Sequence, residues 1–277
     1  MNHTRTILIA GLCLFCLFLA VVPVAADQVG GLPAGSSSSG TQAGSGRGGQ
    51  NAWATNPQHI AAMQAGVAYR DALGQARMNG AITYIGSISN GAGTSQLSSD
   101  ETQFTTAAAS VQSMNSESQI KAAISQMGSD QKEFASDAKS ALGQYNGNAG
   151  ALKSSVNASV EAQSATLQGL KDTWWSDRQT ARMDVFSTND QRRNAILTNL
   201  TAKGIDDSQA QAVETQIQQE GTVLNAAFTS QDENAVKAAN QDLATLTQQF
   251  AGIVKGYRTA HRSQGTSTVP VTGATGV

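Results

Sequence analysis

Proline is missing from most of this chain, and this feature restricts the possible folds more than any other. The four prolines are Pro23, Pro33, Pro57 and Pro270, so residues 58–269 contain none. Proline lacks a backbone N–H and clashes with the preceding helical turn, so a long proline-free stretch favours long helices. Apolar residues recur at helical spacing through this stretch. We therefore predict an all-α fold, an elongated antiparallel helical bundle that resembles a coiled coil.

Six helical segments are predicted, and helix-end signals separate them. The first is expected to begin near Pro57, because proline is favoured in a first turn. The clearest apolar stripe has steps of three, four and seven residues and lies on the third segment. Its members are Ile120, Ile124, Met127, Phe134, Ala138, Leu142 and Tyr145. Polar capping residues predict helix starts or breaks at Ser98, Ser116, Thr188, Asp206 and Ser230. Gly204 predicts a helix end.

Residues 80–93 allow two interpretations. The alternation of Ile82, Tyr84 and Ile88 is compatible with a strand, and the dipeptide Asn90-Gly91 is typical of a hairpin turn. The alternative is the fraying end of the first helix followed by a loop. We prefer the second interpretation.

The N-terminus has the pattern of a secretory signal peptide. Arg5 precedes an apolar run at residues 7–22, and small residues follow up to Ala26. We predict cleavage after Ala26. The alternative is an uncleaved membrane anchor, but the run is short beside the roughly 20 residues that a spanning helix needs. Both cysteines, Cys13 and Cys16, lie inside this run, so the mature chain would hold together without disulfides.

The composition divides the chain into four parts. Residues 1–26 form the signal peptide, and residues 27–56 form a linker rich in Gly and Ser. Such a linker buries too little apolar surface to offset the entropy of ordering it, so we expect it to be flexible. Residues 57–262 form the helical domain, and residues 263–277 form a tail that we also expect to be disordered. The predicted location is secreted or otherwise extracytoplasmic.

The residues offer little support for catalysis. Charged residues make up only 14% of the chain and the formal net charge is -2, which gives no footprint for nucleic acid. The known metal, haem and nucleophile motifs are missing. His59 and His261, which lie at opposite ends of the domain, are expected to be exposed to solvent. We therefore expect no metal, no cofactor, no small-molecule substrate and no enzyme activity.

The most suggestive cluster of side chains surrounds two consecutive tryptophans. Trp174 continues an apolar stripe, so we expect it to be buried. Successive helical residues point about 100° apart, and a narrow seam hardly buries two indoles. Trp175, with Arg178 and Arg182, is therefore a candidate site for a protein partner. In the alternative arrangement, which we prefer, Trp175 covers a groove beside the seam, with Arg178 stacked on it.

Two sequons, at Asn157 and Asn199, are candidates for glycosylation in a host that has the machinery.

Together these features predict an exported, non-catalytic helical module of the cell envelope or exterior. It would act through a protein partner or through self-association. One alternative is an extracytoplasmic chaperone-like or stress-sensing protein. Another is an all-α membrane-inserting protein, which would contact lipid through an uncleaved signal segment or through the residues from Ile82 to Ile88.

Overall fold

The computed structural model describes residues 56–264, with side chains described up to residue 260. Its helices are α1 Pro57–Ser89, α2 Ser95–Ser110, α3 Glu117–Gln144, α4 Ala149–Ala162, α5 Ser164–Ala202, α6 Ser208–Thr229 and α7 Glu233–Gln264, with a 3-10 turn at Val111–Ser113. These residues contain no strand. The predicted all-α helical bundle is confirmed, and its elongated outline stays a prediction.

The ends of the helical part lie close to their predicted positions. The first helix begins at Pro57, as predicted, and Asn56 caps it by accepting hydrogen bonds from the backbone N–H groups of Gln58 and His59. The last helix extends to Gln264, slightly beyond the predicted start of the tail. The predicted signal peptide, and the rest of the predicted linker and tail, lie outside the described residues.

Packing divides the described residues into two compact units. We call residues 56–182 the N-terminal unit and residues 183–264 the C-terminal unit. The boundary falls inside α5, between Arg182 and Met183. The sequence predicts one helical domain over this whole stretch, because proline and cap signals mark helices and not the packing between them.

In the N-terminal unit, α1 packs against α2, α3 and α4, while α2 and α3 pack against each other. A β-carbon at Gly80 would lie 2.6 Å from the Cα atom of Val156, so this glycine allows α1 and α4 to approach closely. The hydroxyl of Ser155 donates a hydrogen bond of 2.8 Å to the Gly80 carbonyl at the same place. The largest fully buried side chains of this unit are Val67, Met78, Ile85, Leu97, Phe104, Val111, Ile120, Phe134, Leu152 and Val156.

Residues 80–93 are mostly helix. Both the strand and the fraying helix end are wrong, because α1 stays intact to Ser89 and buries Ile85 completely in the core. The loop that we predicted after it is confirmed. Asn90 adopts a left-handed conformation with φ of 50°, and Gly91 follows with φ of 84°, so the chain reverses here.

The apolar stripe of α3 is confirmed. Its four members Ile120, Met127, Phe134 and Ala138 are buried. The other three members, Ile124, Leu142 and Tyr145, are partly buried and pack against the same core. The helical period therefore located the packed face of this helix correctly.

The individual cap predictions have mixed outcomes. Ser116 is the N-cap residue of α3, although its hydroxyl bonds the Gln119 side chain and makes no capping bond to the backbone. Gly204, with φ of 69°, follows the end of α5 as predicted. The start at Ser98 is wrong, since α2 begins at Ser95. The break at Thr188 is also wrong, because α5 continues through it and the interruption lies at Gln163.

The last two caps are displaced along the chain by one and two residues. Asp207, and not Asp206, is the N-cap residue of α6, although Asp206 accepts a hydrogen bond from the Ser208 N–H. Ser230 ends α6 and does not begin α7. Asp232 caps α7 because its carboxylate accepts hydrogen bonds from two backbone N–H groups. A charged carboxylate is a stronger hydrogen-bond acceptor than a hydroxyl group.

In the C-terminal unit, α6 and α7 pack along each other. The described buried apolar residues of α6 and α7 are Ala210, Val213, Ile217, Leu224, Ala227, Phe228, Val236, Ala239, Leu243, Phe250 and Val254. Gly221 of α6 faces the ring of Phe186 on α5, where any β-carbon would overlap the ring. Gly221 therefore provides the space that the ring of Phe186 occupies.

Candidate functional site

The tryptophan cluster of α5 lies against α1 in the N-terminal unit. The ring of Trp174 stacks on that of Tyr69, with 6.0 Å between centroids and an interplanar angle of 9°. The guanidinium of Arg178 lies 5.1 Å from the centroid of Trp174 and 4.8 Å from that of Trp175. An arginine at this distance interacts favourably with the negative face of an aromatic ring. The guanidinium of Arg178 therefore contacts two indoles, which lie about one turn before it on the same helix.

A glycine explains how Trp174 reaches α1. A β-carbon at Gly66 would lie 2.9 Å from Nε1 of Trp174, which is closer than side chains normally approach. The buried indole of Trp174 also contacts the rings of Tyr69 and Trp175, so it has little freedom to move away. Gly66 is therefore the residue that allows this aromatic contact between the helices.

The predicted burial of Trp174 is confirmed, but the expectation of an exposed neighbour is wrong. Trp174, Trp175 and Arg178 are 4%, 5% and 7% exposed. Trp175 has Arg178 stacked on it, as in the alternative arrangement, and this contact lets the seam bury both indoles. Arg182 is half-buried. Partner binding by Trp175, Arg178 and Arg182 stays a prediction. Arg182 is the most accessible of these three side chains.

Both sequons lie on exposed helix positions. Asn157 is on α4 and Asn199 is on α5, and each side chain faces solvent. Their glycosylation stays a prediction.

The expectation that His59 is exposed is wrong. His59 is 8% exposed, and its Nε2 atom lies 3.4 Å from a carboxylate oxygen of Glu117 at the start of α3. Lys121 lies 2.5 Å from the other oxygen of Glu117. Desolvation acts to raise the pKa of Glu117, but Lys121 and His59 outweigh it and hold this pKa below its ordinary value. The side chain of His261 lies outside those described.

A partly open cavity of about 80 Å³ lies beside the tryptophan cluster, between α1, α2 and α3. Tyr69, which stacks on Trp174, is also part of its wall. The cavity is lined by Tyr69, Arg70, Leu73, Gly74, Arg77, Phe104, Ile124, Met127, Gly128 and Gln131. The helical spacing of the apolar residues had indicated neither the cavity nor the role of Tyr69 in its wall, because both depend on how the helices meet.

Two half-buried arginines of α1 give the cavity its charge. Burial lowers the pKa of Arg70 to about 10. Burial also lowers the pKa of Arg77, and the neighbouring Tyr69 partly opposes this effect. Desolvation disfavours a charged group, so both shifts indicate guanidinium groups that are removed from bulk water. None of the described lining residues is acidic.

The C-terminal unit contains a different polar cluster, which no pattern in the sequence had indicated. Arg193 of α5 donates from Nε to Glu214 of α6 at 2.6 Å, and both side chains are only 8% exposed. Asp190 lies 3.6 Å from another nitrogen of Arg193, and Gln218 donates to Glu214 at 2.7 Å. The guanidinium also lies 5.7 Å from the ring centroid of Phe186. Every charge in this cluster thus has a partner of opposite sign.

Comparison with protein-family models, with curated proteins and with solved structures finds no match for this chain. Within the part of the chain that the structure describes, no three His, Cys, Asp or Glu side chains are grouped so that they could hold a metal ion. No helix in the described stretch is both long enough and apolar enough to span a bilayer.

Proposed function

We propose that the protein is an exported, non-catalytic helical module of the cell envelope or exterior. It would work by binding a protein partner or a second copy of itself. The observation that carries the proposal is that helix packing covers the apolar faces in both units. Among the described residues, the large hydrophobic side chain that is exposed is Val223, at 52% of its full accessible surface. Interfaces of reversible complexes are no more apolar than the rest of a protein surface, so such a surface suits reversible binding.

The same observation argues against the chaperone-like alternative. A protein that holds unfolded clients presents a contiguous apolar patch. In the described units, the apolar side chains instead face the helix seams, and the charge-poor polar residues face solvent.

The membrane-inserting alternative is supported even less. The segment from Ile82 to Ile88 is part of α1, with Ile85 fully buried and Ile82 and Ile88 half-buried. Exposing these side chains to lipid would open the core of the N-terminal unit. His59 and Glu117 lie close to each other and so join α1 to α3.

The proposal can be tested on the protein exported by its native host. We expect N-terminal sequencing to begin at Asp27, and crosslinking in the envelope fraction to capture one partner or a second copy. A sequence that begins at Met1, or a lipid-modified cysteine, would contradict the predicted export. Suppression of client aggregation would favour the chaperone alternative, and leakage of liposomes would favour the membrane alternative.

A pair of variants makes the capture experiment specific. Arg182→Ala removes the accessible member of the predicted partner site, and Arg192→Ala removes an exposed arginine of the same helix. We expect the first to weaken capture by about tenfold or more, as for an interface arginine, and the second to leave it unchanged. Equal capture by both variants would show that Arg182 is not part of the interface.

A further inference from the structure

Two acidic side chains face each other across the seam between α2 and α3 in the N-terminal unit. Asp100 of α2 is 1% exposed, and its carboxyl group is close enough to that of Asp137 on α3 for the two to share a hydrogen bond. Asp137 is half-buried. Two ionised carboxylates repel each other and have no hydrogen to donate, so this contact needs a proton on one of them.

The other contacts of Asp100 do little to compensate a negative charge. The amide of Gln96, one turn earlier on α2, donates a hydrogen bond of 2.8 Å to Oδ1. The Oδ2 atom is buried, and no donor among the described residues reaches it. Burial of a carboxylate is costly without compensation, whereas a neutral carboxyl group can donate its own hydrogen to Asp137. These contacts therefore favour the protonated form of Asp100.

The charged groups that act on Asp100 are all negative. They are Asp137 and Glu133 of α3, of which Glu133 is exposed. In the described part of α1, which also packs against α2, no charged group acts on Asp100, and the 3-10 turn contains no charged residue. Burial raises the pKa of Asp100, and the two acids raise it further, although the bond from Gln96 partly opposes the shift.

From this geometry we propose that Asp100 is a proton-controlled latch between α2 and α3. With its proton, Asp100 donates to Asp137 and accepts from Gln96, and this holds α2 on the core. When the proton passes to bulk water, the two carboxylates repel each other across the seam. The helix α2 then loosens from the core, to which it contributes the buried side chains of Leu97 and Phe104. The latch requires neither the export nor the partner proposed above.

The latch closes in acid and opens as the pH rises. An acid whose pKa is raised in the folded protein stabilises the fold below its ordinary pKa, and this contribution is lost as the pH rises through the higher value. Glu117 acts in the opposite sense and at lower pH, because its pKa is held below the ordinary value. The two groups can therefore be told apart by the pH range in which each one acts.

Hydrogen exchange of the whole protein tests the latch. We expect the protection factors of α2 amides, corrected for the intrinsic pH dependence of exchange, to fall between about pH 4 and neutral pH. Asp100→Asn imitates the protonated acid, because its amide can accept from Gln96 and donate to Asp137. At neutral pH its α2 amides should be about fivefold or more better protected than those of the unmodified protein, the equivalent of one hydrogen bond. Its fall with pH should also be smaller.

Three further variants assign the effect to this pair of acids. Asp100→Ala lacks the donor, so it should reduce the fall without the gain at neutral pH. Asp137→Asn removes the facing acid and should also reduce the fall, which provides the same test from the other helix if Asp100→Asn does not fold. Glu220→Gln is the matched control, because it removes an acid that faces the exposed Asp242 in the C-terminal unit. It should leave the pH profile of α2 unchanged.

Several results would overturn the proposal. One is the absence of any fall in the unmodified protein. A fall of equal size in the unmodified protein, Asp100→Asn and Asp137→Asn would assign it to another acid, such as Glu101, whose pKa burial also raises. Weaker protection of Asp100→Asn at neutral pH would show that the ionised carboxylate stabilises the seam. Recovery of protection at neutral pH on adding Ca²⁺ or Mg²⁺ would show that a cation, and not a proton, compensates the two acids.

Discussion

The two units bury an arginine in two different ways. In the N-terminal unit, Arg178 lies against the rings of Trp174 and Trp175. In the C-terminal unit, Arg193 lies against the carboxylate of Glu214, with Phe186 beneath it. An aromatic face attracts the cation and at the same time excludes water. A carboxylate attracts it more strongly, but both charges must lose their hydration.

This difference shows how a chain with few charged residues can still bury cations. In the N-terminal unit, the faces of two indoles contribute to the compensation of the charge, and this contribution does not depend on the protonation of a carboxyl group. In the C-terminal unit, an acid on the neighbouring helix contributes to it together with the ring of Phe186. We therefore expect the two units to differ in which substitutions destabilise them.

The largest effect is expected from the tryptophans. Trp174→Ala should reduce the free energy of unfolding by about 3–5 kcal/mol, as when a large aromatic residue is removed from a core. Trp175→Ala should cost a comparable amount, because it is buried to the same degree. Thermal melts measure the loss, and hydrogen exchange should place it in the N-terminal unit. A Trp175→Ala protein that keeps its stability and loses its partner would instead identify Trp175 as a partner anchor.

The next largest effect is expected from the ion pair of the C-terminal unit. Glu214→Gln leaves the charge of Arg193 buried without its closest carboxylate, and this should cost about 3 kcal/mol. Glu220→Gln is the matched control on the same helix, because its carboxylate faces the like charge of Asp242. The control should change stability by less than about 0.5 kcal/mol. Similar losses in the two variants would show that the pair contributes nothing specific.

A smaller effect is expected where α1 meets Trp174. Gly66→Ala should destabilise the N-terminal unit by about 1–2 kcal/mol, because overpacking costs about 1–3 kcal/mol and the better helix propensity of alanine returns up to about 1 kcal/mol. Gly169→Ala, at an exposed position with open space, should stabilise the protein by about 0.5–1 kcal/mol. Denaturant unfolding measures both. A gain in both variants would mean that the indole moves freely away from α1.

The smallest effect on stability is expected from lowering the pH. The pKa of Glu117 is held below its ordinary value, so its contribution to stability is complete above the ordinary carboxyl pKa and is lost as the pH falls through the lower value in the folded protein. The protection factors of amide hydrogens in α1 and α3, which are corrected for the intrinsic pH dependence of exchange, should therefore fall at acid pH. Glu117→Gln should reduce this fall relative to the unmodified protein. An unchanged pH profile in that variant would assign the acid sensitivity to other carboxyl groups.

Local sequence signals predicted much of the fold correctly. The proline-free stretch indicated long helices, the period of α3 located its buried face, and the signals at Pro57 and Gly204 marked helix ends. These signals act within one or two turns of the backbone. Conversely, α5 passes through the capping signal at Thr188, since a side-chain cap worth about 1 kcal/mol does not break a helix that is otherwise favourable.

The candidate sites were predicted only in part. The stripe that contains Trp174 indicated its burial, but the burial of Trp175 depends on Arg178 and on the approach of α1 at Gly66. Likewise, His59 is buried because α3 brings Glu117 to it. No local pattern in the sequence specifies such a partner.

By itself, therefore, the sequence determined that this part of the chain is helical, roughly where its helices lie, and which stripes are apolar. The tertiary structure decided which helices meet, and so it decided the stacking of Tyr69 on Trp174, the pairing of Arg193 with Glu214 and the cavity between α1, α2 and α3. The reason is physical. Helix formation depends on neighbours within a few residues, whereas a contact between helices depends on the fit of glycine gaps and large side chains that are far apart in the chain.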